Sequence, residues 1–129
     1  MTKIAALLLS FSLIMFSNSV SSADYAYYGF EPQIVTNYVA AKKKMGYVRL
    51  TVELMIEDSN NYEVVEHHSP LLRDAIIAII GQQPEAKVKS INGRYEIQRL
   101  CEEKVKSLLA KETGQPLVKK LLFTQWLDN

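Results

Sequence analysis

Two adjacent histidines, His67 and His68, have the most versatile side-chain chemistry in this sequence, because imidazole both binds metal ions and transfers protons. Glu63 lies four residues before His67, so on a helix these two could supply two ligands from one face. A zinc site needs three or four protein ligands, and the chain has no other histidine and a single cysteine. The pattern therefore predicts no metal site and no cofactor, and it is typical of a polar helix end.

Catalytic patterns are equally sparse. Cys101, the single thiol, lies in the apolar stripe of a predicted helix, which favours packing over reactivity. Glu102 and Glu103 are expected on an exposed helix face. The sequence contains neither a Gly-x-Ser-x-Gly elbow nor a glycine-rich phosphate loop. It therefore predicts no catalytic residues and no enzyme, with a small hydrolase that uses His67, His68 and Cys101 as the remaining enzymatic alternative.

Two charged clusters are candidate partner contacts. Lys42, Lys43 and Lys44 form a basic turn, which is either a solvated hairpin loop or a contact with a lipid surface or a protein partner. Arg73 and Asp74 follow a predicted helix start. We expect Asp74 in the first turn, where it suits the helix dipole, while Arg73 either pairs across an interface or faces water.

The N-terminus has the layout of an export signal. Lys3 precedes an uncharged apolar run over residues 4–16, and the small residues Ser21, Ser22 and Ala23 follow. The pattern predicts cleavage between Ala23 and Asp24 and a mature domain over residues 24–129. A retained membrane anchor is the alternative, although a spanning helix usually takes about 20 apolar residues. Both alternatives place the domain outside the cytoplasm.

The charge balance restricts the partners. The chain carries 15 Lys and Arg against 14 Asp and Glu. Without Lys3 the balance becomes 14 against 14, a net charge of zero. Nucleic acid is not expected as a partner, because its phosphates demand an excess of cationic side chains.

The remaining pattern predicts one α+β domain. Residues 27–39 are rich in aromatic and β-branched types, which favour an extended strand. Pro32 has no backbone N–H to donate to a neighbouring strand, so this segment is expected at an edge of the sheet or at the start of a strand. Residues 47–57 alternate apolar and polar side chains and predict a strand that pairs antiparallel with this segment through the lysine turn. Residues 117–127 predict a closing strand.

Helices are predicted between the strands. A short helix is expected at about 61–68, and a buried helix is expected to start with Ser69 as its cap and to stop at Gly81. Residues 82–93 read as a polar loop that ends in an Asn-Gly turn, and the longest helix follows at about 94–111. We therefore expect a small antiparallel or mixed sheet with two or three helices on one face.

The ordered segments resemble the FliL family of bacterial flagellar basal body-associated proteins. The similar segments are 28–37 (YGFEPQIVTN), 47–54 (YVRLTVEL), 69–77 (SPLLRDAII) and 118–126 (VKKLLFTQW). The third is similar to the family's Pro-x-x-Arg-Asp helix, and the fourth to its closing Val-x-x-Val-x-Phe-Thr-x-Phe strand. The resemblance covers nearly all of residues 27–127.

The resemblance implies a stomatin-like domain without enzymatic activity that assembles into rings, associates with the stator units of the flagellar motor and supports motility. The family is anchored in the inner membrane by one helix, whereas residues 1–23 look like a signal peptide, so the chain resembles a periplasmic paralogue. We expect a homo-oligomer built through strand edges and helix faces, with Tyr47 and Met55 exposed. A periplasmic binding or scaffold module unrelated to the flagellum remains the alternative function, since a fold hosts many functions.

Overall fold

The computed structural model describes residues 24–42 and 44–129, which form four strands and four helices. The predicted export segment and Lys43 lie outside the described residues. The strands are β1 (Ala26–Gly29), β2 (Ile34–Tyr38), β3 (Gly46–Ile56) and β4 (Val118–Asp128). The helices are α1 (Tyr62–His67), α2 (Ser69–Gly81), α3 (Glu85–Val88) and α4 (Ile91–Thr113), and a short 3₁₀ turn (Ser59–Asn61) precedes α1.

The sheet is antiparallel and is built around β3. On one edge β1 pairs with the second half of β3 and β2 pairs with the first half, so that β1 and β2 follow one another. On the other edge β4 pairs with β3 along almost its whole length. The predicted pairing through the lysine turn is confirmed. The single predicted strand over 27–39 is wrong in one respect, because β1 ends at Gly29 and β2 begins only at Ile34, so that residues 30–33 separate two strands.

The alternation along β3 divides the sheet into a buried face and an open face. The inward residues Val48, Leu50, Val52, Leu54 and Ile56 are at most 1% exposed. Fully burying each such side chain contributes about 1.5–3 kcal/mol before the entropy of ordering is subtracted. The intervening positions of β3 are exposed or half-buried. The predicted α+β class with a one-sided core is confirmed.

The helices cover the buried face of the sheet. The α2 side chains Leu72, Ile76 and Ile80 recur every four residues and are fully buried. The α4 side chains that form the facing stripe are Ile97, Cys101, Val105 and Leu109. Four helices are present in the described residues, rather than the two or three expected.

The predicted polar loop over 82–93 is wrong. It contains α3, and α4 begins at Ile91, three residues before the predicted start. The hydroxyl of Ser90 caps α4 by accepting the N–H of Gly93 at 2.9 Å. Gly93 lies against the backbone of Lys87, which leaves no space for a Cβ. The Asn-Gly pair therefore permits close helix packing instead of forming a turn.

Residue types predicted where α2 ends correctly, but they did not predict where it begins. Gly114 adopts φ 87° and ends α4 in the left-handed conformation, and α2 ends at Gly81 as expected. Ser69 is not the cap of α2, because the helix already includes it and the preceding residue, His68, occupies the cap position without a side-chain cap bond. Asp74 is the sixth residue of α2 and lies beyond its first turn, so the prediction that it interacts with the helix dipole there is wrong.

Candidate interaction surfaces

A cleft of about 240 Å³ opens between the first half of α4 and the second half of β4. Its lining residues are Ile91, Arg94, Tyr95 and Gln98 from α4 and Phe123 and Trp126 from β4. Ile91 and Tyr95 lie one turn apart at its mouth and are 71% and 66% exposed. Such exposure of large apolar side chains around a concavity is typical of an interaction site.

The floor of this cleft is aromatic. The rings of Phe123 and Trp126 meet edge to face with their centroids 5.1 Å apart. The guanidinium of Arg94 lies 5.4 Å from the centre of the Trp126 ring and donates to the Asp128 carboxylate at 3.0 Å. The indole Nε1 of Trp126 is buried and has no hydrogen-bond partner among the described residues. The cleft therefore contains an unsatisfied donor beneath its surface.

The outer edge of β4 is closed at one end only. At Leu121 the backbone N–H donates to the Glu102 carboxylate at 2.9 Å, and the backbone carbonyl accepts from Gln98 at 2.7 Å. Beyond this point a bulge leaves Thr124 without a partner in the register with β3. No bond from a helix reaches the backbone of Trp126 within the described residues.

The opposite edge of the sheet is covered near the end of β2. Just beyond β2 the backbone of Val39 bonds to the segment after α2, donating to Gln83 and accepting from Glu85, both at 2.9 Å. The carbonyl of Asn37 lies close to Gly81 at the end of α2. This edge is thus closed just beyond the end of β2.

The lysine turn lines a separate cavity of about 460 Å³. Lys42 and Lys44 are exposed, and they share the cavity with Lys89, whose ammonium is 3.4 Å from Glu85. The cavity therefore brings Lys42 and Lys44, which the sequence identified as candidate partner contacts, close to Glu85 and Lys89, which it did not identify.

The N-terminal end of the domain lies far from the lysine turn. The 11 residues of β3 separate the two ends by about 33 Å at the usual strand rise. Asp24 is fixed there by the Ser59 hydroxyl, which donates to its carboxylate at 2.7 Å. Lys119 donates to the Tyr25 hydroxyl at 3.0 Å, and this bond raises the pKa of Lys119. A segment that precedes Asp24 therefore leaves the domain at the end opposite the lysines.

The Arg73 and Asp74 side chains have different surroundings. Arg73 donates to the Pro32 carbonyl at 2.7 Å and lies 5.6 Å from the centre of the Phe30 ring, so it ties α2 to the connection between β1 and β2. Asp74 is exposed. Of this pair, Asp74 is therefore the side chain available to a partner.

The residues that the sequence marks as candidates for reactive chemistry, His67, His68 and Cys101, lie in surroundings that favour a structural role. His67 and His68 meet edge to face with centroids 5.2 Å apart, and Nδ1 of His68 is 2.8 Å from the Val64 carbonyl. Cys101 is fully buried, and desolvation raises the pKa of its thiol to about 12. The expected packing role of Cys101 is confirmed. Within the described residues no group of three or more His, Cys, Asp and Glu side chains could hold a metal ion.

The open face of the sheet carries scattered apolar side chains. Val35 and Leu127 pair with Arg49 from opposite sides, so the three form one row across this face. Tyr47 is exposed as expected, whereas Met55 is only half-buried rather than exposed. The mixture of apolar and charged side chains is typical of a surface that stays soluble and still contacts other proteins.

Sequence patterns alone did not identify the α4–β4 cleft. The sequence pattern places Ile91 in the predicted loop over 82–93, and Tyr95 at the start of the predicted helix but outside its apolar stripe. Had α4 been extended to the Ser90 cap, the i, i+4 spacing of Ile91 and Tyr95 outside the core stripe would have indicated a second apolar face.

Residues 27–127 match the sequence model of a protein family, described as flagellar basal body-associated protein FliL. The match spans the four segments that carry the resemblance in the sequence. No curated protein matches the chain. In the portion of the chain that the structure describes, none of the helices combines the length and apolarity required to span a bilayer.

Proposed function

The chain belongs to the FliL family of flagellar basal body-associated proteins, and on that premise we propose that it is a non-enzymatic accessory protein of the flagellar motor. In this role it associates with the stator units and supports flagellum-dependent motility by protein–protein contact. The observation that carries the proposal is the family match over residues 27–127. Exposed apolar surface beside α4 and a near-neutral charge balance agree with contact between proteins.

The proposed location is the periplasm, at the basal body on the inner membrane. Residues 1–23 direct export and are either cleaved after Ala23 or retained as an anchor. The order of Lys3, the uncharged apolar run over residues 4–16 and the small residues that end at Ala23 supports export. N-terminal sequencing of the exported protein decides between Asp24 and a retained Met1.

The lysine turn and Asp74 are proposed as partner contacts. With the N-terminal end towards the inner membrane, Lys42 and Lys44 would lie at the far end of the domain, which favours a protein partner over lipid. Reversing the charge of Lys42 and Lys44, which are exposed, should weaken recovery of basal-body proteins without changing the unfolding free energy. Unchanged recovery would remove this turn from the interface.

Self-assembly into a ring is the third part of the proposal. The open face of the sheet, with Val35, Tyr47 and Leu127 exposed, is the surface we assign to contact between copies. Light scattering of the purified domain should show a concentration-dependent rise in mass, and Leu127→Glu should reduce it. A monomer at all concentrations would argue against a stable ring.

The decisive test of function is genetic. Deleting the gene should reduce swimming or swarming and the torque of the motor at high load, and a complementing copy should restore both. Unchanged motility and torque would contradict the proposal. Recovery of an unrelated envelope protein in a pull-down, without stator or basal-body proteins, would then favour the binding or scaffold module.

A further inference from the structure

We propose that the open half of the β4 edge, together with the cleft beside it, binds an extended, uncharged, apolar segment of another protein as an added strand. Such binding presupposes the protein-contact role proposed above, and it identifies the surface and the chemistry of one partner segment. Strand addition to a free edge is an established mode of peptide recognition, in which the backbone supplies affinity and side-chain pockets supply specificity.

The backbone of β4 offers the necessary hydrogen-bonding groups. The N–H of Asn129 donates to the Tyr47 carbonyl at 3.2 Å, so the backbone of Asn129 faces β3. Because the direction alternates along an antiparallel strand, the backbone groups of Asp128 and Trp126 face away from β3. An unpaired edge of this kind is a template for another strand.

The side chains beside this edge provide a pocket of matching size. A cleft of about 240 Å³ falls below small-molecule sites, which commonly occupy about 300–1,000 Å³. It can accept one or two apolar side chains of a strand that lies beside β4. Phe123 and Trp126 would form the floor, and Ile91 and Tyr95 would cover the inserted side chain from α4.

The charges at the cleft favour an uncharged segment. Arg94 is the one ionisable side chain with a permanent charge among the lining residues, and it is already paired with Asp128 at 3.0 Å. A charged ligand residue would have to break this pair, or be desolvated without a partner of its own. The other lining groups are aliphatic, aromatic or an amide.

A second copy of the chain fits this edge less well. Head-to-tail pairing would bring β4, which has 11 residues, against β2, which has only five and whose edge is closed just beyond Tyr38 by the bonds of Val39 to Gln83 and Glu85. Two-fold pairing of β4 with itself would run the strands antiparallel and place the two Asp24 residues at opposite ends. With residues 1–23 retained as an anchor, that arrangement conflicts with both copies being held at one membrane.

Photo-cross-linking in flagellated cells tests the partner directly. A photoreactive amino acid replaces Tyr95 in the full chain, and the control carries it at Lys104, which is nine residues along α4 and exposed on the opposite side. We expect cross-links from position 95, absent from position 104, that map to one short segment of another protein. Cross-links to this same chain, products common to both positions, or no products would each overturn the proposal.

A capped synthetic peptide, ten residues long and centred on the cross-linked residue, then tests the mode of binding. Trp126 is the single tryptophan, so a change in the intrinsic emission of the domain reports on the cleft itself. We expect the emission to shift on binding. We expect Ile91→Glu to weaken peptide binding about tenfold or more, since it removes an apolar contact that the bound peptide would bury. The matched control Asn92→Glu adds the same charge at the neighbouring exposed position and should change the affinity less than about twofold.

Both substitutions place a carboxylate in the first turn of α4, where it favours the helix, so loss of folding does not explain a difference between them. Equal weakening by the two variants, or an unshifted Trp126 emission at saturating peptide, would overturn the assignment to the cleft. A different set of results would disprove the function in the flagellar motor that is proposed above. A peptide from a protein outside the flagellum, together with unchanged motility on deletion, would leave the cleft intact and remove the motor role.

Discussion

The carboxylate of Glu102 accepts the backbone N–H of Leu121 at 2.9 Å, so a side chain of α4 takes the place of a neighbouring strand. Gln98, one turn earlier, completes the contact by donating to the Leu121 carbonyl at 2.7 Å. Natural sheets protect exposed edges by such coverage, because unpaired strands invite pairing with other chains. This contact closes the first half of the β4 edge, and the open half begins where it ends.

Replacing Glu102 with Ala should therefore destabilise the domain. The change leaves the Leu121 N–H without its charged acceptor, at a cost of about 1.5 kcal/mol, the lower end for hydrogen bonds to charged groups. Urea unfolding followed by circular dichroism measures the change. Glu103→Ala is the matched control, because Glu103 is the adjacent carboxylate and is exposed. Equal midpoints for the two variants would mean that the edge contact contributes nothing.

Arg73 should prove structural, and Asp74 should not. Arg73→Ala removes the bond to the Pro32 carbonyl and the cation above Phe30, so we expect a loss of about 1–2 kcal/mol in unfolding free energy. Asp74→Ala should change it by less than about 0.5 kcal/mol because the side chain is exposed. If Asp74→Ala nevertheless lowers recovery of basal-body proteins, its proposed partner contact is supported. Comparable stability of the two variants would contradict the structural role of Arg73.

Gly93→Ala should destabilise the domain although alanine is the better helix former by about 1 kcal/mol. The added Cβ would overlap the Lys87 carbonyl, and separating α3 from α4 should cost about 1–3 kcal/mol. Gly81→Ala is the control within α2, since the nearest atom to its Cβ would be the Asn37 carbonyl oxygen at an ordinary 3.9 Å. Thermal unfolding should rank Gly93→Ala below wild type and Gly81→Ala at or above it. A stabilised Gly93→Ala variant would contradict the close approach.

Burial of Cys101 predicts a loss of stability at alkaline pH. Desolvation on burial raises the pKa of its thiol from the ordinary value of 9.0 to about 12. The unfolded chain therefore releases the thiol proton first, and the unfolding free energy falls as the pH rises through the window from 9 to 12. The limiting slope from one group is about 1.4 kcal/mol per pH unit. Urea unfolding of wild type and Cys101→Ala between these pH values should show a shallower decline in the variant, and parallel declines would refute the burial effect.

Local sequence patterns predicted β3 and α2, because the apolar side chains of these elements recur at the spacing of the face that the fold buries. The alternation of β3 sets its inward face because successive side chains point to opposite sides of a strand. The four-residue spacing of Leu72, Ile76 and Ile80 similarly predicts the buried face of α2. The same rules failed at residues 82–93, where Asn92 and Gly93 read as a turn. Only packing against Lys87 makes a glycine within a helix favourable there.

By itself the sequence determined the one-sided α+β core, the antiparallel pairing through the lysine turn, the buried Cys101 and the resemblance to the FliL family. These follow from side-chain periodicity and from residue types along contiguous segments. Only the tertiary structure decided which edges remain open. The closure of β4 at Leu121 depends on Glu102, 19 residues away, and the cleft joins Ile91 to Trp126 across two elements. Local patterns do not encode such contacts, because the contacts depend on how α4 lies against β4.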